Sequence, residues 1–348
     1  MSLALLLLVF AAAAGAVWVA GVHLSNATDV LDHRLGFGEA IGGLVFLSIA
    51  TNLPEIAITA SAALSHDLGI AIGNILGGIA IQTVVLVILD AVGLGAISAL
   101  TYRAASLLLV LECGLVVAVL VVAVAGTQLP PSLTKARVEP ASVLIVVLWL
   151  GGLLLLQRAQ RGLPWHEGGV APDGQQEPMA HSKAKKSAQG PSTRRTAAVF
   201  SVSALVTLAG GVILERSGER IAGHLHMTGV LFGATVLAAA TSLPEVSTGL
   251  QAVRMGDYQL AMSDIFGGNA FLPVLFLVAS LLSGSAVLPQ AQKTDIYLTA
   301  LGALLTAVYI YGLIFRPRRM VLRMGLDSLT VLVLYAVGVL GLIAIARS

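Results

Sequence analysis

Residues 42–82 read GGLVFLSIATNLPEIAITASAALSHDLGIAIGNILGGIAIQ, and residues 232–272 read FGATVLAAATSLPEVSTGLQAVRMGDYQLAMSDIFGGNAFL. Laid side by side without gaps, the stretches pair Gly43 with Gly233, Thr51 with Thr241, Pro54 with Pro244 and Glu55 with Glu245. Further on, Asp67 pairs with Asp257, Ile75 with Ile265, and Gly77-Gly78 with Gly267-Gly268. A shared apolar composition does not produce a gapless match around a Thr-x-Leu-Pro-Glu core. The chain therefore carries a duplicated unit, offset by 190 residues.

The surroundings of the two copies say what medium they occupy. Of 348 residues, 57% are apolar and only 11% charged, where a soluble chain carries about 25% charged residues. Mean hydropathy is +0.92, and apolar runs near the roughly 20 residues that cross a bilayer recur along the chain. A soluble enzyme, a nucleic-acid binder and a secreted module are excluded. The expected fold is an all-α polytopic membrane protein with ten transmembrane helices. They fall at about 2–22, 37–64, 69–90, 104–125, 140–157, 197–215, 228–252, 259–283, 296–315 and 327–346. The first run is Leu/Ala-rich, but no Lys or Arg precedes it and its length suits a full span, so it reads as a helix rather than a cleaved signal. The lone Cys113 permits no disulfide framework, and a net charge of +2 names no anionic partner.

The one long polar stretch, 158–196, contains HSKAKKSAQGPSTRR and has a linker composition. It divides the chain into a first five-helix repeat at 1–157 and a second at 197–348. Arg158, Arg161, Lys183, Lys185, Lys186, Arg194 and Arg195 fall in the linker, and Arg316, Arg318, Arg319 and Arg323 join the last two spans. The positive-inside rule places both on the cytoplasmic side. An odd number of spans on each side then puts both termini outside, with Arg34, Arg103 and Arg254 also cytoplasmic.

With five spans between them, the copies enter the bilayer from opposite faces. Inverted repeats of this kind are the architecture of secondary transporters, whose site lies near the midplane. Pro54 and Pro244 each sit mid-span, where the missing N–H and the ring interrupt the helix ladder. Carbonyls around Ala50-Thr51 and Ala240-Thr241 are freed, and at that depth they persist only where protein, water or an ion satisfies them. Glu55 and Glu245 follow directly. A carboxylate near the bilayer centre costs about 3 kcal/mol on insertion scales, and two that converge also repel. A bound cation offsets both costs, and protonation is the alternative. Carboxylates, hydroxyls and carbonyls are hard oxygen ligands suited to Ca²⁺ or Na⁺. The Gly-rich segments downstream add Asn74, Gln82, Asp264 and Asn269, with Asp264 a third acidic candidate and Asn74 its repeat partner.

At these residues the sequence resembles the calcium/cation antiporter superfamily, which includes the Na⁺/Ca²⁺ exchangers. That family has ten spans in bacterial members and two inverted repeats with a G-T-S-x-P-E core, followed by a G-N-x-x-G-S-N-x-x-N-like segment. Here the cores read ATNLPE from Ala50 and ATSLPE from Ala240, and the segments GNILGGIAIQ from Gly73 and SDIFGGNAFL from Ser263. The resemblance implies that Glu55 and Glu245 are the ion-binding glutamates and that Thr51, Thr241 and Ser242 are ligands from the broken helices. It further implies an antiporter in the plasma membrane of a prokaryote, with inorganic cations as substrates, the lipid bilayer as surroundings, no nucleic-acid partner and no cofactor beyond the transported ions. Three departures bear on coupling. Asn52 replaces the core Ser, Gly78 and Gly268 replace the Ser of the G-S-N segment, and Gln82 and Leu272 replace its final Asn. Oxygens associated with sodium coordination are lost while the glutamate pair is kept. This weighs against three-sodium coupling and toward protons carried by Glu55, Glu245 or Asp264.

The expected function is exchange of Ca²⁺ for Na⁺ or H⁺ by alternating access. The alternative is a monovalent cation/proton antiporter, supported by Leu272. An intramembrane enzyme or scaffold would need a nucleophile–base pair or metal-ligand motif within the spans, and none stands in the sequence. Glu112, inside the fourth span, reads equally as a proton relay or as a hydrogen-bonded bundle residue. Glu39 and Asp90 are expected to be solvated span ends, and His23, His33, His66, His224 and His226 to lie in short loops.

Overall fold

A computed structural model describes residues 2–35, 48–94, 98–104, 106–134, 137–160, 162, 164, 192–227 and 229–346. Gly43, Glu39 and most of the linker, with Lys183, Lys185 and Lys186, lie outside them. The first half runs α1 (Leu3–Leu35), α2 (Ser48–Thr51), α3 (Leu53–Leu64), α4 (Leu68–Ile88), α5 (Leu100–Ala104), α6 (Leu107–Thr127) and α7 (Pro140–Gln160). The second runs α8 (Thr193–His224), α9 (Gly229–Phe232), a π-helical stretch at Gly233–Leu237, α10 (Ala238–Thr241), α11 (Leu243–Arg254), α12 (Tyr258–Phe271), α13 (Leu275–Ser283) and α14 (Lys293–Phe315). A two-residue hairpin, β1 (Met320–Val321) paired with β2 (Met324–Gly325), leads into α15 (Leu326–Ala346).

Among the described residues, eight helices are long and apolar enough to cross a membrane. The two expected spans missing from that number are the ones containing the duplicated core. Each is interrupted: α2 stops at Thr51 and α3 restarts at Leu53, and α10 stops at Thr241 and α11 restarts at Leu243. The cause is the proline at the second position of each restarting helix, which has no N–H to return to the carbonyl four residues back. The helix bounds on either side repeat with the sequence offset. Asp67 and Asp257 cap α4 and α12 alike, accepting the N–H groups of Ile70 at 3.1 Å and Leu260 at 3.0 Å. The turns before them hold His66 at φ 60° and Gly256 at φ 80°.

Some expectations are corrected. The first spans of the two halves are longer than their apolar runs. At 33 and 32 residues, α1 and α8 extend about 50 Å, and they pack against each other along their length. His23 and His33 therefore lie within α1 and His224 at the end of α8, rather than in loops. Asp90 is buried, not solvated. The end of α4 winds into a π-helical turn, where the Asp90 carboxylate accepts the N–H of Leu100 at 2.8 Å and of Gly325 at 2.7 Å.

The spans containing α4 and α12 are the most enclosed, with 72% of an apolar 18-residue stretch buried in each, against 17% in α15. Around them the broken helices are held by reciprocal glycines. Gly21 of α1 lies against Pro244, and Gly211 of α8 lies against Pro54 and Ala57. At each place a Cβ would overlap the neighbouring chain.

Candidate functional site

All ten candidate residues are buried, none more than 4% exposed. They come from α2, α3 and α4 and the break at Asn52 in the first half, and from α10, α11 and α12 and the break at Ser242 in the second, each restarting helix carrying its Glu at the third position. The centre of the arrangement is Gln82 of α4. Its Nε2 lies 3.0 Å from Asn52 Oδ1, 3.2 Å from Glu245 Oε1 and 3.5 Å from Glu55 Oε1. One amide thus joins the glutamates of both halves. Thr241 is within hydrogen-bond reach of the Glu55 carboxylate, and Glu245 stands close enough to Glu55 and Asp264 to be repelled by both.

Around this centre the small polar residues tie down the breaks. Thr51 donates to the carbonyl of Ser48 at 3.2 Å, and Asn52 Nδ2 to the same oxygen at 2.7 Å. In the second half Thr241 and Ser242 donate to the carbonyl of Ala238 at 3.1 and 2.8 Å. Asp264 is displaced from the glutamate pair and held by two hydroxyls, Thr51 at 3.3 Å and Thr248 at 3.2 Å. Asn74 reaches the backbone carbonyl of Glu55 at 3.4 Å, and Asn269 reaches Thr83 at 3.2 Å. Sequence reasoning missed Thr248 and Thr83. Thr248 was findable, since it follows Glu245 by three residues and so shares its helix face.

Five buried oxygens at this site have no hydrogen-bond partner among the described residues: Glu55 Oε2, Glu245 Oε2, Gln82 Oε1, Asn74 Oδ1 and Asn269 Oδ1. An unsatisfied buried acceptor costs about 1–3 kcal/mol, so the set is chemically prepared for protons or a hard cation. No cluster of three or more His, Cys, Asp or Glu is placed to hold a metal among the described residues. Two carboxylates and neutral oxygens are what this centre offers.

The departures from the exchanger pattern are matched to each other. A Cβ on Gly268 would lie against Asn52 Nδ2 at 2.6 Å, with Gln82 Oε1 at 3.4 Å, and one on Gly78 would meet Leu272 Cδ1 at 3.3 Å. Each glycine makes room for a larger residue contributed by the other half.

Two openings are lined by described residues. One, of about 380 Å³, is lined by Trp18, Val22, Asn26, Thr248 and Asp264 among others. The other, of about 440 Å³, is lined by His66, Asp67, Glu219, Gln292 and Asp295 and includes none of the ten candidates.

The family model described as sodium/calcium exchanger protein matches residues 5–167 and 196–344. A putative antiporter, CaxA, of Alkalimonas amylolytica is 27% identical over 286 residues, covering 81% of this chain and 82% of the relative. The inner membrane protein YrbG of Escherichia coli (strain K12) is 24% identical over 301 residues, covering 85% and 86%. In structure, the H⁺/Ca²⁺ exchanger CAX superposes with a TM-score of 0.70 at 13% identity, covering 98% of this chain and 85% of that one. The sodium–calcium exchanger NCX_Mj superposes with a TM-score of 0.62 at 17% identity, covering 97% and 99%.

Proposed function

Because the chain belongs to the sodium/calcium exchanger protein family, we propose that it exchanges Ca²⁺ for H⁺ or Na⁺ by alternating access at the centre built on Glu55, Glu245 and Gln82. The family is one of exchangers, not of enzymes, and with eight apolar helices the chain is an integral, multi-pass cation antiporter. The observation that carries the finer reading is the meeting of the two repeat-related glutamates at one amide, each with an oxygen left unpartnered. Ca²⁺ entering there takes the four carboxylate oxygens, and Gln82 turns its amide oxygen inward in place of its N–H. Thr51, Thr241, Ser242, Asn52, Asn74, Asn269 and Asp264 supply further oxygens or hold those that do. Cation and protons compete for the same carboxylates, and an empty, doubly charged centre opposes its own reorientation, so transport in one direction requires return in the other. Similarity to the putative antiporter CaxA and to the H⁺/Ca²⁺ exchanger CAX supports this class.

In this reading the chain forms ten spans as two inverted repeats of five, residues 1–157 and 197–348, with the linker 158–196 cytoplasmic and both termini outside. The openings support it. The first is bounded by the end of α11 near Arg254, which the charge rule places inside, and the second by the turn at Ser65–Asp67 and by Gln290–Asp295, which it places outside. The described conformation then opens Asp264 to the cytoplasm. Cysteine labelling tests this directly, since the only native cysteine, Cys113, is buried. Ser247→Cys is expected to react with an impermeant maleimide from the cytoplasmic face alone and His66→Cys from the external face alone. Labelling of both from one face would overturn the inverted arrangement.

Flux in liposomes containing the purified protein tests the substrate, with Na⁺ and pH gradients imposed separately. Ca²⁺ uptake driven by either gradient is the expected result. Na⁺ flux driven by a pH gradient and not competed by Ca²⁺ would replace this reading with the monovalent cation/proton antiporter that Leu272 favours.

A further inference from the structure

Glu112 is a buried carboxyl that the exchange cycle above leaves unused. It lies on α6, 4% exposed. Its Oε1 accepts the hydroxyl of Ser263 at 3.0 Å, while Oε2 has no partner among the described residues. Ser263 immediately precedes Asp264 on α12, so the two residues point to different sides of that helix. One faces the opening and the site, and the other faces Glu112. No three acidic side chains converge here among the described residues, so Glu112 does not close on a cation together with Asp264 and Glu245.

Among the described residues, the positive charge of a packed helix that comes nearest this level is Arg158 of α7, which is exposed. The helices packed against α6 carry the titratable groups Tyr258 and Asp264 on α12 and Tyr309 and Tyr311 on α14, with Cys113 beside Glu112 on α6 itself. Lys293, Asp295 and Tyr297 sit at the far end of α14, and α7 carries none between Glu139 and Arg158. A carboxylate with one hydroxyl partner and no cation is not held ionised in a bilayer core without large cost. The remaining way to satisfy Oε2 is a proton of its own.

We propose that Glu112 is a proton-binding site separate from the cation centre and coupled to it through the Ser263–Asp264 step of α12. With the centre free of metal, Glu112 holds a proton on Oε2. When a divalent cation binds beside Asp264, its field stabilises the carboxylate, the O–H bond of Glu112 breaks and the proton passes to bulk water. The carboxylate keeps the Ser263 hydroxyl as donor. This deepens the exchange reading and rests on it, adding a proton to the exchange beyond those displaced from Glu55 and Glu245.

The experiment uses wild-type protein and Glu112→Gln in liposomes with the membrane potential clamped. It measures both isotopic Ca²⁺ self-exchange, which needs no proton, and Ca²⁺ accumulation against an imposed pH gradient. Glu112→Gln is expected to keep self-exchange while accumulating about tenfold less Ca²⁺ per unit of pH gradient, the loss that one fewer coupled proton produces. Independently, the infrared difference spectrum on Ca²⁺ addition should lose a protonated-carboxyl band in Glu112→Gln and keep it, shifted, in Ser263→Ala. Equal accumulation by variant and wild type overturns the inference, as does accumulation driven by Na⁺ alone. Loss of self-exchange in Glu112→Gln together with an unchanged infrared spectrum also overturns it, assigning Glu112 to packing. A wild type without Ca²⁺ self-exchange overturns the underlying reading of the cation centre instead.

Discussion

Glu245→Gln is expected to reduce Ca²⁺ affinity and Ca²⁺ flux in reconstituted liposomes by a factor of about thirty to several thousand, and Glu55→Gln to do the same. Removing one member of a desolvated charge pairing typically costs about 2–5 kcal/mol. The substitution is nearly isosteric, and the neighbouring Gln82 amide, now 3.2 Å from Glu245 and 3.5 Å from Glu55, can bond an amide oxygen as well as a carboxylate. Removing one of two like charges also relieves their repulsion. The variants are therefore expected to be at least as stable to heat as wild type while losing transport, a combination that misfolding does not give. Transport at the wild-type rate in either variant would remove that glutamate from the centre. Isothermal titration with Ca²⁺ in detergent, alongside tracer flux, separates lost binding from lost movement.

The second large effect concerns the glycines behind the breaks. Gly21→Leu and Gly211→Leu each push a side chain into the helix break of the opposite half. At both sites even the first carbon would stand within 3.0 Å of its neighbour. Overpacking of this kind costs about 1–3 kcal/mol. Borne by the transport-competent conformation, it slows exchange roughly five- to 150-fold. Gly151→Leu on α7 is the matched control, because nothing lies within 4 Å of its added carbon. Tracer flux and thermal unfolding in detergent should show both break-facing variants impaired and the control unchanged. An unimpaired Gly211→Leu would mean that α8 does not bear on the Pro54 break in the working protein.

The contrast between these two predictions shows what the sequence made legible. Both glutamates, both prolines and the offset that relates them stand in the linear text, because a duplication leaves a periodic record and a proline acts on its own helix. The glycines were present too, as Gly21 and Gly211, but in a chain with 37 glycines their partners cannot be read, since Pro244 and Pro54 lie in the other half. Gln82 was legible as a polar residue and not as the bridge between the glutamates, for the same reason. The lengths of α1 and α8 were misjudged because hydropathy marks where a helix leaves lipid, not where it ends. The burial of Asp90 depended on a hairpin more than two hundred residues away, whose Gly325 N–H it accepts.

The pairings of Gly78 with Leu272, and of Gly268 with Asn52 and Gln82, make the two halves unequal. Two copies of the first half facing each other would place Asn52 and Gln82 twice at a centre shaped for one of each. Two copies of the second would place Leu272 twice and leave no amide between the glutamates. Neither half can now serve as its own mate. At these two places the residues of one half fit the glycines of the other.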